Sequence, residues 1–404
     1  MNAKLADALG WIATKRDDAI EQLIRWCNQN SWSMDEPRLR DMAELVIRDF
    51  GKIGVEFQSL SLPPLRLLGE DGEWMEGATG PALLWHHNPQ AKHRVLLMIH
   101  YDTVYPSDAE PNFCVRVDGH GAEPATLVGP GVADAKGGIA VIALAVEAML
   151  RFDLLRDIGV SILLNPDEEI GSTASATLMQ ELASQFAYGL VFEPTLPDGT
   201  LVAARKGSGN FAIYVRGRSA HAGRNIEDGR NAIVHLANII VELNRLHDPD
   251  SGVSVNVGQV SGGGPLNQVP DLANVKFNIR VNDRSSMERM QEKLHTLVER
   301  LSTNGFSVAV LGEFHSPPKL VSPAIEQLQA VVMKAGKSLG RPIQWRDTGG
   351  ACDGSKLAGW GLPNIDTMSV TGGNLHSPQE YMQIDSLTKA AQTVVATIQE
   401  MASR

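Results

Sequence analysis

Short apolar runs alternate with helical segments through both ends of this chain, and this alternation restricts the fold more than any other sequence feature. The candidate strands are 81–85, 95–100, 158–164, 190–192 and 363–368, each bounded by turn residues. The helical patterns are 15–29, 35–51, 136–151, 173–185, 324–339 and a last one from 386 to near the end. Alternating strands and helices predict an α/β fold with a mixed, mostly parallel sheet covered by helices on both faces.

The rhythm changes in the middle of the chain, between residues 206 and 316. Alternating segments at 210–215 and 253–260, further strands at 275–281 and 306–311, and helices at 228–247 and 286–302 follow one another in the order β-α-β-β-α-β. This order is that of a ferredoxin-like unit. We therefore predict one α/β domain built from 1–205 and 317–404, with a small α+β domain, 206–316, inserted into it.

Composition excludes several functional classes. The chain has 404 residues with 36 basic and 47 acidic side chains, a net charge of −11, which argues against a nucleic-acid binder. Its N-terminus lacks the apolar core of a signal peptide, and no apolar run approaches the ~20 residues that cross a bilayer. We therefore expect no membrane partner. The cysteines Cys27, Cys114 and Cys352 are odd in number and far apart, so we expect no disulfide framework and a cytoplasmic location.

Acidic and imidazole side chains collect directly after predicted strands or just before a helix. They are His100, Asp102, Asp134, Glu168, Glu169, Glu193 and His376. Ligands bind at the carboxyl ends of strands in open α/β sheets, so one crevice is expected to receive these groups. The donor types suit Zn²⁺, with Mn²⁺ or Co²⁺ possible. Two metals could be held by five of them if Asp134 bridges: His100, Asp134, Glu169, Glu193 and His376. Because the neighbours Glu168 and Glu169 cannot both ligate easily, Glu168 is left as a general base.

Several blocks in register resemble the M20 family of dinuclear zinc metallopeptidases and deacylases, most of all its glutamate carboxypeptidase-like members. The blocks begin with His100-Tyr101-Asp102-Thr103 and the glycine-flanked segment around Asp134 and Lys136. Those that follow are Glu168-Glu169-Ile170-Gly171-Ser172, Phe192-Glu193-Pro194, Gly217 to Gly223 around His221, Asn267-Gln268-Val269-Pro270, Ile279-Arg280 and Leu375 to Glu380 around His376. The resemblance implies a phosphorylase/hydrolase-like catalytic domain with an inserted lid and dimerisation domain.

The resemblance also implies a role for each matching residue. One zinc would be held by His100 and Glu193, and the other by Glu169 and His376, with Asp134 between them. Asp102 would orient His100, as carboxylates near metal-bound histidines commonly do, and Glu168 would move the proton. His221 of a partner subunit would stabilise the oxyanion in a homodimer. Arg280 and Asn267 would grip the substrate carboxylate, with Thr348 at the pocket floor.

Glu193 carries the substrate prediction, because family members with Glu at this position tend to be carboxypeptidases or N-acyl-amino-acid deacylases. We therefore expect hydrolysis of an amide, peptide or N-acyl, next to an amino acid with a free carboxylate. An acetylornithine deacetylase or succinyl-diaminopimelate desuccinylase type of enzyme is the alternative, and a catalytically inactive binding protein is a further one. Ala351 and Cys352 depart from the family pattern at the pocket floor.

Overall fold

The structure is a computed structural model that describes residues 3–69, 72–110, 112–119 and 123–403. Its α-helices are α1 (Ala3–Thr14), α2 (Arg16–Cys27), α3 (Glu36–Gly51), α4 (Lys136–Arg151), α5 (Ala176–Ala183), α6 (Ala232–Asn244), α7 (Arg284–Leu301), α8 (Pro323–Ser338), α9 (Asp353–Gly359) and α10 (Ile384–Ala402). Its strands are β1 (Gln58–Leu60), β2 (Leu65–Leu68), β3 (Trp74–Gly77), β4 (Ala82–His87), β5 (Arg94–His100), β6 (Val115–Val117), β7 (Thr126–Val128), β8 (Gly159–Asn165), β9 (Tyr188–Val191), β10 (Leu201–Arg205), β11 (Gly207–Arg216), β12 (Ser254–Gly262), β13 (Leu272–Val281), β14 (Ser307–Ser316), β15 (Trp345–Thr348), β16 (Asn364–Ile365), β17 (Gly372–Gly373) and β18 (Tyr381–Gln383).

The central sheet has the strand order β1-β4-β8-β5-β9-β16 in the described residues. The pairs β8–β5, β5–β9 and β9–β16 are parallel, whereas β1–β4 and β4–β8 are antiparallel. Alternate side chains of β5 enter different cores: Val95, Leu97 and Ile99 face the helices α1, α2, α4, α8 and α10, and Leu96 and Met98 face α5 and α9. Helices therefore cover both faces of a mostly parallel sheet, which confirms the predicted fold class.

A separate four-stranded antiparallel sheet runs from Gly207 to Ser316, in the order β12-β13-β11-β14. With α6 and α7 between its strands, it has the β-α-β-β-α-β order of a ferredoxin-like unit. Helices α6 and α7 begin at side-chain caps, Asn231 and Asp283, and pack on a hydrophobic core of their own. The boundaries at 205/206 and 316/317 remain predictions, although this sheet and its core fall inside them.

Several described elements were not predicted from the sequence, among them β1, the parallel pair β10–β15 and α9. Helix α1 precedes the first predicted helix, β2 and β3 form a hairpin, and β17, β18, β7 and β6 form a small antiparallel sheet. The hairpin reaches the inserted unit, where the Tyr214 hydroxyl on β11 donates to the Gly69 carbonyl at 2.5 Å. Within the described ranges, no helix is both long and apolar enough to cross a membrane.

Helix α4 lies unusually close to the sheet at Gly138, near the start of the helix. A Cβ atom at this position would lie 2.3 Å from the Phe192 carbonyl oxygen and 3.0 Å from the Phe192 Cβ. Phe192 immediately precedes Glu193, so the absence of a side chain at 138 lets α4 pack directly against the segment that presents this carboxylate.

We predict that Gly138→Ala lowers the free energy of unfolding by about 2 kcal/mol, because overpacking of a tight interior costs 1–3 kcal/mol. Urea unfolding measures the change. The matched control is Gly10→Ala on the exposed face of α1, where a Cβ atom meets nothing within 4 Å. That change is expected to stabilise the protein by about 0.5–1 kcal/mol, since glycine is unfavourable in helices. An unchanged stability of Gly138→Ala would contradict the close packing.

Candidate metal centre

One group of potential metal ligands lies where β5 and β9 end side by side. His100 is the last residue of β5, and Glu193 follows β9 by two residues. Nε2 of His100 lies 3.1 Å from Oδ1 of Asp134 and 3.9 Å from Oε2 of Glu193, and all three residues are buried. One donor atom from each residue lies within 4.8 Å of the others. The ends of β5 and β9 and the turn before α4 thus bring together three of the predicted metal ligands.

A second group shares Asp134 with the first. Nε2 of His376 lies 3.2 Å from Oδ2 of Asp134 and 3.2 Å from Oε2 of Glu169. Glu169 lies in a short 3₁₀ turn, Glu168–Ile170, that follows β8, and His376 lies in the turn between β17 and β18. The two carboxylate oxygens of Asp134 therefore face different histidines, which is the arrangement expected of a bridging ligand.

The charges of these groups attract a cation. Burial disfavours the His100 imidazolium, yet hydrogen bonds with Asp102 and Asp134 raise its pKa well above the ordinary value. Hydrogen bonds with Asp134 and Glu169 raise the pKa of His376 to about 11. Burial raises the pKa of Glu193 to about 8. These pKa values are raised because several acids share one desolvated space. The resulting negative potential favours any cation, whether a proton on a histidine or a metal ion.

The donor set and its unsatisfied atoms fit divalent metals. Oε1 of Glu169 and Oε1 of Glu193 are buried without a hydrogen-bond partner in the described part of the chain. Buried carboxylate oxygens without partners are costly, and a bound cation would satisfy them. Two imidazoles and three carboxylates, with no thiolate, are ligands typical of Zn²⁺, Mn²⁺ or Co²⁺ sites.

Asp102 organises both glutamates and His100. Its Oδ1 accepts the amide N–H of Glu168 and its Oδ2 accepts that of Glu169, each at 3.2 Å. Its Oδ1 also lies 3.2 Å from Nδ1 of His100, and its Oδ2 accepts the Ser33 hydroxyl at 2.7 Å. Asp102 is fully buried. The backbone carbonyl of Asp102 also lies 3.0 Å from Nδ1 of His100. Asp102 therefore orients the imidazole of a potential metal ligand and fixes the turn that carries the candidate base.

Glu168 itself occupies a different position from Glu169. Its carboxylate makes no hydrogen bond among the residues described, while burial raises its pKa well above the usual value. Behind it lies a buried network in which Asp353 accepts from Asn165 at 2.8 Å and pairs with Lys356 at 2.7 Å. We did not predict this network, because these residues lie far apart in sequence and form no recognisable motif.

Glu380 is a supporting residue that sequence reasoning missed. Its Oε1 accepts the amide N–H groups of Ala133 and Asp134, each at 2.9 Å, and its Oε2 accepts that of Gly131 at 3.1 Å and the Tyr105 hydroxyl at 2.6 Å. It thereby fixes the loop that presents Asp134. A signal was available, since Glu380 closes the motif that contains His376.

The predicted substrate-binding residues fall into two separate places. Arg280, near the end of β13, donates to the carbonyl of Gly349, next to Thr348 at the end of β15. His221 and Asn267 lie together elsewhere, since Ala222 N–H donates to the Asn267 carbonyl at 2.9 Å, and both side chains are exposed. From the start of β13 to Arg280 is about 26 Å at ~3.3 Å per residue. Within one chain, Arg280 and Asn267 are not brought together.

Comparison with known proteins decides the family. The model of peptidase family M20/M25/M40 matches residues 96–400. The chain belongs to this family. It is 30% identical over 306 residues to carboxypeptidase G2 of Pseudomonas sp. (strain RS-16), covering 73% of this chain and 71% of that protein. It is also 23% identical over 289 residues to the succinyl-diaminopimelate desuccinylase of Psychrobacter sp. (strain PRwf-1), covering 68% and 71%.

Solved structures of peptidases share the fold. A dipeptidase from Saccharomyces cerevisiae superimposes with a TM-score of 0.76 at 16% identity, covering all of both chains. A dinuclear metal-binding peptidase of the M20 family from Bacillus subtilis gives 0.67 at 13% identity, covering 97% and 99%. These comparisons confirm the predicted family, the fold class and an M20-type metal-dependent hydrolase. The individual site residues, the metal identity and the homodimer stay predictions.

Proposed function

We propose that this M20 enzyme holds two zinc ions and hydrolyses an amide bond next to an amino acid with a free carboxylate, as a carboxypeptidase does. The observation that carries the proposal is the position of Asp134, shared between His100 with Glu193 on one side and His376 with Glu169 on the other. The similarity to carboxypeptidase G2 supports the substrate class. Co²⁺ or Mn²⁺ could replace Zn²⁺ at such ligands.

The ligand sets follow from the two groups. His100 and Glu193 would hold one metal, Glu169 and His376 the other, and Asp134 both. Metals at these positions would supply Lewis acidity that polarises the amide carbonyl and makes water a stronger nucleophile at neutral pH. Asp102 keeps His100 oriented through Nδ1, and carboxylate partners of this kind raise the basicity of a ligand imidazole.

Glu168 would act as general base and then as general acid. Its carboxylate is adjacent to the ligand Glu169 in sequence but is free of hydrogen bonds in the part of the chain described, so it can take a proton from the attacking water. The same carboxyl would then deliver that proton to the leaving amine. The Asp102 hydrogen bond to the Glu168 amide fixes the backbone of this residue.

Substrate recognition would use the inserted unit, 206–316, as a lid and dimerisation domain. Arg280 already lies at the Thr348–Gly349 turn and suits the terminal carboxylate of a substrate. His221 and Asn267 lie at the far end of β13, so we infer that a partner subunit supplies both of them. A homodimer is therefore part of the proposal, with His221 stabilising the oxyanion and Asn267 joining Arg280 at the carboxylate. A cytoplasmic location agrees with the three unpaired cysteines.

An N-acyl-amino-acid deacetylase is the alternative, of the acetylornithine deacetylase or succinyl-diaminopimelate desuccinylase type. The similarity to a desuccinylase favours it. Both activities leave an amino acid with a free carboxylate, and they differ in the acyl group. Values of kcat/KM on dipeptides and on acetylated or succinylated amino acids separate them: higher values on dipeptides support the carboxypeptidase, and higher values on acylated amino acids support the deacetylase.

We predict that Glu168→Gln lowers kcat by at least about a hundredfold while both metals stay bound, because general acid–base catalysis contributes 10²–10⁴-fold. Turnover and metal content per chain are measured on the same preparation. Glu181→Gln, on the exposed surface of α5, is the matched control. Retained turnover would remove the general-base role, and loss of metal would make Glu168 a ligand instead.

We predict that Arg280→Met lowers kcat/KM about tenfold to a hundredfold for substrates with a free carboxylate, since hydrogen bonds to charged groups contribute 1.5–3 kcal/mol. The same substrates with a terminal carboxamide should be affected little. Arg284→Met, which removes an exposed arginine from the start of α7, is the control. An equal loss on both substrate types would mean that Arg280 does not read the carboxylate.

We predict that two inactive variants restore activity when their subunits exchange. Glu168→Gln lacks the base and His221→Ala lacks the partner's oxyanion donor. In a mixed dimer one site combines an intact Glu168 with an intact partner His221, so random exchange should return about a quarter of the wild-type sites. The activity of the mixture is compared with that of each variant alone. No recovery, with exchange verified by mass spectrometry, would place His221 in its own subunit's site or outside catalysis.

A further inference from the structure

A cavity of about 260 Å³ lies in the catalytic unit, outside the group of side chains that we propose for hydrolysis. Its wall consists of one face of α10, the turn between α8 and β15, the start of β10 and the segment 367–371. The volume suits a small molecule, since pockets for drug-sized ligands are mostly larger. None of the potential metal ligands lines the cavity, and neither do Glu168, Arg280 and Thr348.

The small sheet formed by β10 and β15 separates this cavity from the proposed substrate turn. The two strands are parallel, with Leu201 beside Trp345 at one end and Arg205 beside Thr348 at the other. Leu201 lines the cavity, whereas Arg280 contacts the turn that follows Thr348. From Leu201 to Arg205 is about 13 Å at ~3.3 Å per residue. A ligand in the cavity would therefore not occupy the place proposed for the substrate carboxylate.

The charged side chains that line the cavity are basic. They are Arg341, in the turn after α8, and Lys389, on α10, and no acid lines the cavity among the described residues. The guanidinium of Arg341 donates from Nη1 to the Lys389 carbonyl at 2.9 Å and from Nη2 to Oε1 of Gln392 at 2.7 Å. These bonds fix the guanidinium beside α10 and use only part of its N–H donors, so the others can serve a ligand.

The acids of α10 do not neutralise this charge. Asp385 pairs with the first residue of α2 at 3.2 Å, and Glu400 pairs with a lysine of α8 at 2.6 Å. Burial lowers the pKa of the Arg341 guanidinium, and no neighbouring acid opposes that shift. The cavity therefore offers an anion the positive charges of Arg341 and Lys389.

Hydroxyl groups form another part of the wall. Ser369 is 4% exposed, and its Oγ has no hydrogen-bond partner within the described ranges. A buried hydroxyl without a partner is costly, and a ligand oxygen in the cavity would satisfy it. Oγ1 of Thr367 accepts the amide N–H of Val202 at 2.9 Å, so this hydroxyl keeps its own proton for an acceptor.

Apolar side chains complete the wall and narrow the class of ligand. They are Leu201, Pro342, Ile343, Met368 and Ala390. An aliphatic group would bury this surface, whereas inorganic phosphate would leave it uncovered. An ammonium group, as in a free amino acid, would find no acidic partner in the wall and would be repelled by Arg341 and Lys389.

We propose that this cavity is a binding site for a small carboxylic acid that has an aliphatic body and no amino group. Its carboxylate would pair with Arg341 and Lys389, since a guanidinium fork suits a carboxylate, and the Ser369 hydroxyl would donate to a ligand oxygen. Its aliphatic body would pack on Leu201 and Ile343. The site is separate from the metal centre, and the proposal does not depend on the reaction catalysed there.

The experiment uses 4-methylpentanoate, which is leucine without its amino group. Isothermal titration calorimetry on the full-length protein should show one binding event, and a soaked crystal should place the compound beside Arg341. Three compounds test the class: 4-methylpentanamide lacks the charge, leucine adds an ammonium group, and inorganic phosphate lacks the aliphatic body. Each should bind at least about tenfold more weakly, because charge-assisted hydrogen bonds and apolar burial both contribute to affinity.

Variants locate the binding. Arg341→Met removes the guanidinium and Ala390→Leu fills the cavity from α10, and each should weaken the binding of 4-methylpentanoate at least about tenfold. Lys337→Met, which removes an exposed charge from α8, is the matched control and should leave the affinity unchanged. Arg280→Met should also leave it unchanged. Circular dichroism verifies folding, and Lys389→Gln replaces Arg341→Met if that variant does not fold.

Several results would overturn the proposal. Binding that is lost in Arg280→Met but kept in Arg341→Met and Ala390→Leu would place the carboxylate at the active site. Equal affinity for the amide, for leucine or for phosphate would contradict the proposed class of ligand. No binding of 4-methylpentanoate at millimolar concentrations would mean that the cavity is not a carboxylate site. None of these measurements involves turnover, so they are independent of the proposed hydrolysis.

Discussion

Asp134 lies between two imidazoles, 3.1 Å from His100 and 3.2 Å from His376, and most of the catalytic unit is arranged around this contact. Glu169 and Glu193 approach from either side, so several acids occupy one desolvated space. Such a concentration of negative charge is unfavourable in a protein interior unless cations neutralise it. The same potential that raises the pKa of both histidines would attract a divalent metal to either side of Asp134. The buried carboxylates thus favour the binding of cations, and this holds for any substrate.

Two further carboxylates, outside the two groups of potential ligands, keep this geometry. Asp102 accepts the amides of Glu168 and Glu169, and Glu380 accepts those of Gly131, Ala133 and Asp134. Each binds backbone N–H groups in a turn that helical or strand hydrogen bonds would not otherwise hold. The side chains of the potential ligands are therefore fixed through the backbone beneath them, which is how a site on loops acquires the precision of a site on strands.

The apolar pattern of the sequence predicted those helices and strands whose structure depends on residues near them in the chain. Val95, Leu97 and Ile99 alternate with Leu96 and Met98, so the sequence alone places β5 in a sheet covered on both faces, and His100 at its end. The periodicity of residues 206–316 likewise predicted the ferredoxin-like order of the strands and helices in the insertion. The elements that were missed depend on distant partners. The β2–β3 hairpin has a largely exposed strand and meets Tyr214 across the fold, and Glu380 acts on amides some 250 positions earlier in the chain.

The length of β13 separates the residues that we propose for substrate recognition into two groups. Arg280 contacts the Thr348–Gly349 turn at one end of the strand, whereas His221 and Asn267 lie beyond the other end, about 26 Å away at ~3.3 Å per residue. A paired strand in a four-stranded sheet is too stiff to fold back over that distance. If all three side chains serve one substrate, the far pair must serve a neighbour's active site, and the sheet then acts as a rigid arm between two sites. Each subunit would hold the metals and the base itself and depend on its partner for the oxyanion, so that activity requires assembly.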